Sequence, residues 1–155
     1  MELDQAARFL QELLKAAVAR KASDLFVNAD FPPALKVDGR LVPLSDKPLT
    51  PEQSKVLVRS VMNERQAAEF EAQSEANFAV NPGALGRFRV NAYLQRGHAA
   101  MVLRQIGTHV PTLEELGMPA VLAEVAMHKR GLGLVVGATG SGKSTTLAAM
   151  IEARN

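Results

Sequence analysis

The stretch Gly137-Ala138-Thr139-Gly140-Ser141-Gly142-Lys143-Ser144 fits the pattern G-x-x-x-x-G-K-[ST] at every specified position. The apolar run Leu132-Gly133-Leu134-Val135-Val136 leads into it, and Lys143 to Ile151 leads out. Read as a buried parallel strand and a helix, these flanks supply the setting that a phosphate-binding loop requires. The chemistry lies in the backbone. Glycines at 137, 140 and 142 permit positive φ angles and close approach, so successive N–H groups can converge on a phosphate with the positive end of the following helix behind them. Lys143 is then expected to reach the β- and γ-phosphates of ATP, and the Ser144 hydroxyl to ligate Mg²⁺. Ala138, Thr139, Ser141 and Thr145 complete the nucleotide-binding segment.

Working outward from the loop, only eleven residues follow Ser144. A nucleotide hydrolase needs further strands, an acidic residue for the metal and a group that orients the attacking water. The expectation is a truncated start of an α/β ATPase domain, inactive alone, whose strand at Leu132 to Val136 is apolar on both faces and lacks parallel neighbours. Composition bounds the rest. The chain has 155 residues, 47% of them hydrophobic, and no cysteine, so disulfides and cysteine-bound metals are excluded. His98, His109 and His128 have no metal-ligand spacing. No apolar run approaches the roughly 18 residues of a membrane span, and Glu2 and Asp4 stand where a secretory signal would be basic, so a soluble cytoplasmic protein is expected.

The formal net charge is only +2, but its distribution is uneven. From Met1 to Ala76, 10 Lys/Arg face 12 Asp/Glu; from Asn77 to Ile151, 7 face 3. Between Asn77 and Leu113 there is no acid, only Arg87, Arg89, Arg96 and Arg104. Such a run is either a solvated basic face or a surface for a polyanion.

Taken in order, Asp4 to Arg20 reads as an amphipathic helix with Ala6, Phe9, Leu10, Leu13, Leu14, Ala17 and Val18 facing the core. Leu25-Phe26-Val27 is a short strand, and Asp38-Gly39 predicts a hairpin between Ala34–Val37 and Arg40–Val42. Thr50-Pro51-Glu52-Gln53 opens a helix to about Met62, and Asn63 caps a second from Glu64 to Gln73. Ala76 to Val80 is a strand. The next strand alternates, with Phe88, Val90, Ala92 and Leu94 on one face and Arg87, Arg89, Asn91 and Tyr93 on the other. If Arg96-Gly97 is a two-residue turn, the partner strand from His98 to Ile106 sets Arg89 directly opposite Arg104. Like charges so placed repel, which an anion between them would relieve. Thr112 to Glu115 is a capping box for a short helix stopping at Gly117, and Pro119 begins another that reaches Arg130.

With these elements in order, the chain resembles the type IV pilus retraction ATPases, the PilT/PilU branch of the secretion ATPase superfamily. The likeness rests on Ala22-Ser23-Asp24-Leu25, Lys36-Val37-Asp38-Gly39, Gly86-Arg87-Phe88-Arg89-Val90-Asn91, Pro111 to Leu116, and Arg130-Gly131 leading into Gly137 to Thr146. Phe26 stands where many such motors carry histidine, and Ala99-Ala100-Met101-Val102 is closer to PilU. The resemblance implies an α+β chain: a PAS-like N-terminal domain with an antiparallel sheet (1–107), a linker (108–117) and the incomplete start of a RecA-like P-loop ATPase domain (118–155). It implies a homo-hexameric motor using ATP and Mg²⁺ to retract the pilus in twitching motility. The motor would be peripheral to the cytoplasmic face of the inner membrane and engage the pilus platform and related motor subunits, without nucleic acid. By the same likeness Arg87, Arg89 and Arg104 join Lys143 in catalysis, neutralising charge on the γ-phosphate, and the acidic and histidine boxes lie beyond Asn155.

Two other classes compete. One is a non-enzymatic PAS-like sensor, adaptor or oligomerisation module, which would need a cofactor or partner pocket that one Tyr and no Trp do little to furnish. The other is single-strand binding through the arginine hairpin, whose only aromatic candidates are Phe88 and Tyr93, the former on the core-facing side.

Overall fold

In a computed structural model that describes every residue except Thr108, Thr139 and Asn155, helix α1 (Leu3–Ala19) precedes β1 (Asp24–Val27), β2 (Ala34–Val37) and β3 (Arg40–Pro43). Helices α2 (Pro51–Ser60) and α3 (Glu64–Gln73) follow, then β4 (Glu75–Val80), a 3₁₀ turn at Gly83–Leu85, β5 (Arg87–Gln95) and β6 (His98–Ile106). Both middle helices start where the side chains can satisfy free N–H groups. The backbone N–H of Gln53 donates to Thr50 Oγ1 and that of Thr50 to Gln53 Oε1; Asn63 and Gln66 exchange the same two bonds.

Two turns set the sheet's registers. Asp38 and Gly39 have φ of +49° and +78°, and Arg96 and Gly97 +52° and +81°. Paired positive φ values give a turn whose twist matches that of the strands, so each hairpin closes in two residues. The six strands run in the order β3-β2-β1-β6-β5-β4, every neighbouring pair antiparallel. As the Arg96-Gly97 turn requires, Arg89 lies opposite Arg104.

One face of this sheet is the core. Leu25, Val27, Leu35, Phe88, Val90, Ala92, Met101 and Leu103 pack against Leu10, Leu13 and Leu14 of α1, Leu57 and Val58 of α2 and Ala67 of α3. The Ser54 hydroxyl, buried in α2, donates to the carbonyl of Ala99 and ties that helix to β6. Two expected core positions are exposed instead. Phe9 borders a groove with Pro33 and Leu49, and Leu94 sits one residue from the end of β5, beside the hairpin turn.

The chain divides into two compact units, Met1–Ile106 and Gly107–Asn155. The second contains α4 (Val121–Met127) and α5 (Lys143–Arg154). Three expectations are corrected within it. The Thr112 capping box forms, with the Thr112 N–H donating to Glu115 Oε2 and the Glu115 N–H to Thr112 Oγ1. It supports a run of turns and no helix, because Gly117 at φ +63° closes the chain one turn later. The helix expected from Pro119 to Arg130 is confined to α4. The strand expected at Leu132 to Val136 is absent: residues 132–138 pair with no strand among the described residues, and Leu132 and Val136 are 86% and 85% exposed. A lone apolar strand leaves its N–H and C=O groups unpaired by a ladder and its side chains in water, so propensity alone does not hold it extended in a sheet.

Candidate functional site

In the second unit, the loop before α5 has the backbone a phosphate cradle needs. Gly140 and Gly142 take φ of +81° and +87°, a region in which side chains are strained. Gly137 serves differently: a Cβ there would stand 2.6 Å from Ser141 Oγ, so a larger residue would require the Ser141 hydroxyl to turn away. The Ser141 N–H donates to the carbonyl of Ala138 at 3.2 Å, and Lys143 Nζ donates to the same carbonyl at 2.6 Å. The lysine thus lies folded over its own loop. Ser144 and Thr145 are exposed in the first turn of α5, while Thr146 and Ala149 anchor that helix by burial. Thr139, also expected to bind nucleotide, lies outside the described residues. Glycines at strained positions, a lysine over the loop and a free hydroxyl at the helix start fit a nucleotide phosphate group with its divalent cation. Among the described residues no cluster of His, Cys, Asp or Glu offers a separate metal site.

In the first unit, the sheet face opposite the core carries the arginines. Its central feature is a charged row across four adjacent strands: Lys36 on β2, Asp24 on β1, Arg104 on β6 and Arg89 on β5 are successive cross-strand partners. Arg104 Nε donates to Asp24 Oδ1 at 2.8 Å, and Ser23 Oγ donates to Asp24 Oδ2 at 2.8 Å. Asp24 is only 4% exposed, whereas the Arg104 side chain remains 68% exposed. Arg89 and Arg87 have no carboxylate partner among the described residues. A cleft of about 290 Å³ opens here, lined by Asp24, Asn77, Arg89, Asn91, Val102 and Arg104. Asn91 Oδ1 is buried without a hydrogen-bond partner, an omission that costs about 1–3 kcal/mol unless water or a ligand donor supplies it. Arg87 lies two residues along the same face, at the edge opposite Ile106. Tyr93 is half-buried and donates to Asn28 Oδ1 at 3.4 Å.

Asp24 changes the reading of the facing arginines. Their repulsion does not by itself call for a bound anion, because Arg104 is already paired on its other side. Sequence reasoning saw Asp24 only as part of a resemblance; the hairpin register that located Arg104 did not include β1, which joins β6 from far along the chain.

Burial by itself would push the Asp24 carboxyl up. Hydrogen bonds from Arg104 and Ser23, with the charges of Arg104 and Lys36, together outweigh that and hold it below the usual carboxylate range. A carboxyl depressed in the folded state contributes stability above its unfolded value, about 4, and loses that contribution as pH falls through the folded value. Urea midpoints measured from pH 7 down to about 3 should therefore fall more steeply for the native chain than for Asp24→Asn, with the gap between them closing at the acid end. Parallel curves would contradict the pairing.

Residues 2–155 match the family described as type II/IV secretion system protein. The type IV pilus ATPase PilU of Pseudomonas aeruginosa is 51% identical over 145 residues, which cover 94% of this chain and 38% of that protein. The type IV pilus retraction ATPase PilT of the same organism is 43% identical over 146 residues, covering 94% and 42%. Among solved structures, the pilus retraction motor PilT with bound ADP superposes with a TM-score of 0.81 at 42% identity, covering 91% of this chain and 41% of that one. The chain thus spans less than half the length of these relatives.

Proposed function

Because this chain belongs to the type II/IV secretion system protein family, we propose that it is the N-terminal part of a hexameric ATP-driven motor that retracts type IV pili. On this reading the first unit is a PAS-like domain and the second is the start of a RecA-like ATPase domain. The observation that carries it is the loop: Gly140 and Gly142 at positive φ, Gly137 close against the Ser141 side chain, and Lys143 folded over the Ala138 carbonyl.

Backbone N–H groups from Ala138 to Thr145 would hold the phosphates, Lys143 would exchange its carbonyl partner for their negative charge, and Ser144 would hold Mg²⁺. ATP bound there supplies the γ-phosphoryl group whose hydrolysis drives the motor. Arg89 and Arg104, with Arg87 at the edge, would lower the free energy of the charge that gathers on that group during transfer. The motor would act at the cytoplasmic face of the inner membrane, against the pilus platform. No described helix is long and apolar enough to cross a membrane, which suits a peripheral role.

The chain spans less than half the length of these relatives, so on this reading the 155 residues alone should bind nucleotide weakly and not turn it over. We expect phosphate release by the protein from the complete reading frame and none above background by the 155-residue chain. Turnover by the shorter chain that disappears on Lys143→Ala would overturn that division.

A further inference from the structure

The cross-strand row Lys36-Asp24-Arg104-Arg89 alternates in sign until its last member, where two positive charges meet. Asp24 takes hold of Arg104 through Nε alone. A guanidinium carries five N–H donors, and this contact uses one, leaving both terminal amino groups without a partner among the described residues. The carboxylate is itself fixed: it is nearly fully buried, Ser23 donates to its other oxygen, and its strand is paired on both sides. The exposed guanidinium is therefore held along one edge while its other edge remains unpaired on the face where Arg89 also has no carboxylate partner. An anion-binding arginine gains from such a hold, because the entropy of fixing a long side chain has been lost before the ligand arrives.

We infer that Asp24 is a positioning residue, which orients Arg104 so that its terminal amino groups and Arg89 together grip a phosphoryl anion in the Asn77–Asn91 cleft. This rests on the reading above that the arginine face meets a phosphate. The two possible roles of Asp24 have opposite signs. If it acted only through charge, neutralising it would make the face more positive and strengthen anion binding. As a positioning residue, its neutralisation weakens the hold on Arg104 and so weakens anion binding despite the added positive charge.

The test uses the full 155-residue chain carrying Lys143→Ala, which removes the loop's one ammonium, titrated with inorganic pyrophosphate and read at the arginines themselves. Nitrogen-15 spectra of the arginine Nε–H groups report Arg89 and Arg104 separately. In this chain both signals should move with one dissociation constant. Adding Asp24→Asn should raise that constant roughly threefold to tenfold, with backbone amide spectra unchanged away from β1 and β6. Arg104→Lys, which keeps the charge and loses the fork, should weaken binding at least as much while leaving Asp24 in place. An Asp24→Asn chain that binds pyrophosphate equally well or more tightly overturns the positioning role alone. Arg89 and Arg104 signals that do not respond before Asp24 is changed overturn the phosphate-facing reading of this sheet face, and the positioning role with it.

Discussion

Replacing Lys143 with alanine in the protein from the complete reading frame should lower ATP turnover by about a hundredfold to a thousandfold, the range seen when one preorganised donor to a developing charge is removed. The lysine reaches back over the loop to donate to the Ala138 carbonyl at 2.6 Å. Its ammonium therefore already lies on the loop's own backbone, and a bound phosphate would offer it a charged partner in place of a neutral one. Alanine removes that charge and its bond to the Ala138 carbonyl, while Gly140 and Gly142 keep their freedom to take positive φ. Phosphate release at saturating ATP measures the effect, and circular dichroism shows whether the fold is retained. Turnover within about threefold of the unmutated protein would mean that this loop is not where the hydrolysed nucleotide sits.

The second large effect is on stability. Phe88 is 1% exposed on the core face of β5, between Val80 of β4 and Gln105 of β6. Phe88→Ala removes a whole ring from a packed interior, which costs about 3–5 kcal/mol. That is a large part of the 5–15 kcal/mol typical of a domain, so urea unfolding of the variant should shift far below that of the native chain. The same burial argues against single-strand nucleic-acid binding by the hairpin, since a ring sealed under the sheet cannot stack on a base. An unchanged urea midpoint would show that the ring lies outside the core.

Much of the first unit was legible because local rules agreed with one another. Alternation along Arg87 to Leu94 placed Phe88, Val90 and Ala92 inward, and the Arg96-Gly97 turn fixed a register that set Arg89 against Arg104. The pairing of Asp24 with Arg104 was not legible, because the two residues are 80 positions apart and no local spacing reveals which strand adopts which neighbour. The second unit shows the converse. The phosphate loop was evident from glycine and lysine spacing, which acts within eight residues, whereas the strand expected just before it depends on neighbours. Without a ladder Leu132 to Val136 stays exposed, and with Gly117 at positive φ the Thr112 box yields one turn. Short-range chemistry could be read from the sequence; pairing partners could not.

The central proposal is that Arg89 and Arg104 of the first unit act on the phosphate of a hydrolysed nucleotide. Its most direct test is Arg89→Ala in the protein from the complete reading frame, with turnover at saturating ATP and nucleotide affinity measured on the same preparation. Arg89 is exposed and has no carboxylate partner among the described residues, so its loss should leave the fold intact. A fall in turnover of about a hundredfold with affinity changed by less than about threefold is the expected result, the mark of an interaction made in the transition state more than in the ground state. Unchanged turnover would contradict the claim and leave the charged row as a structural feature of the sheet.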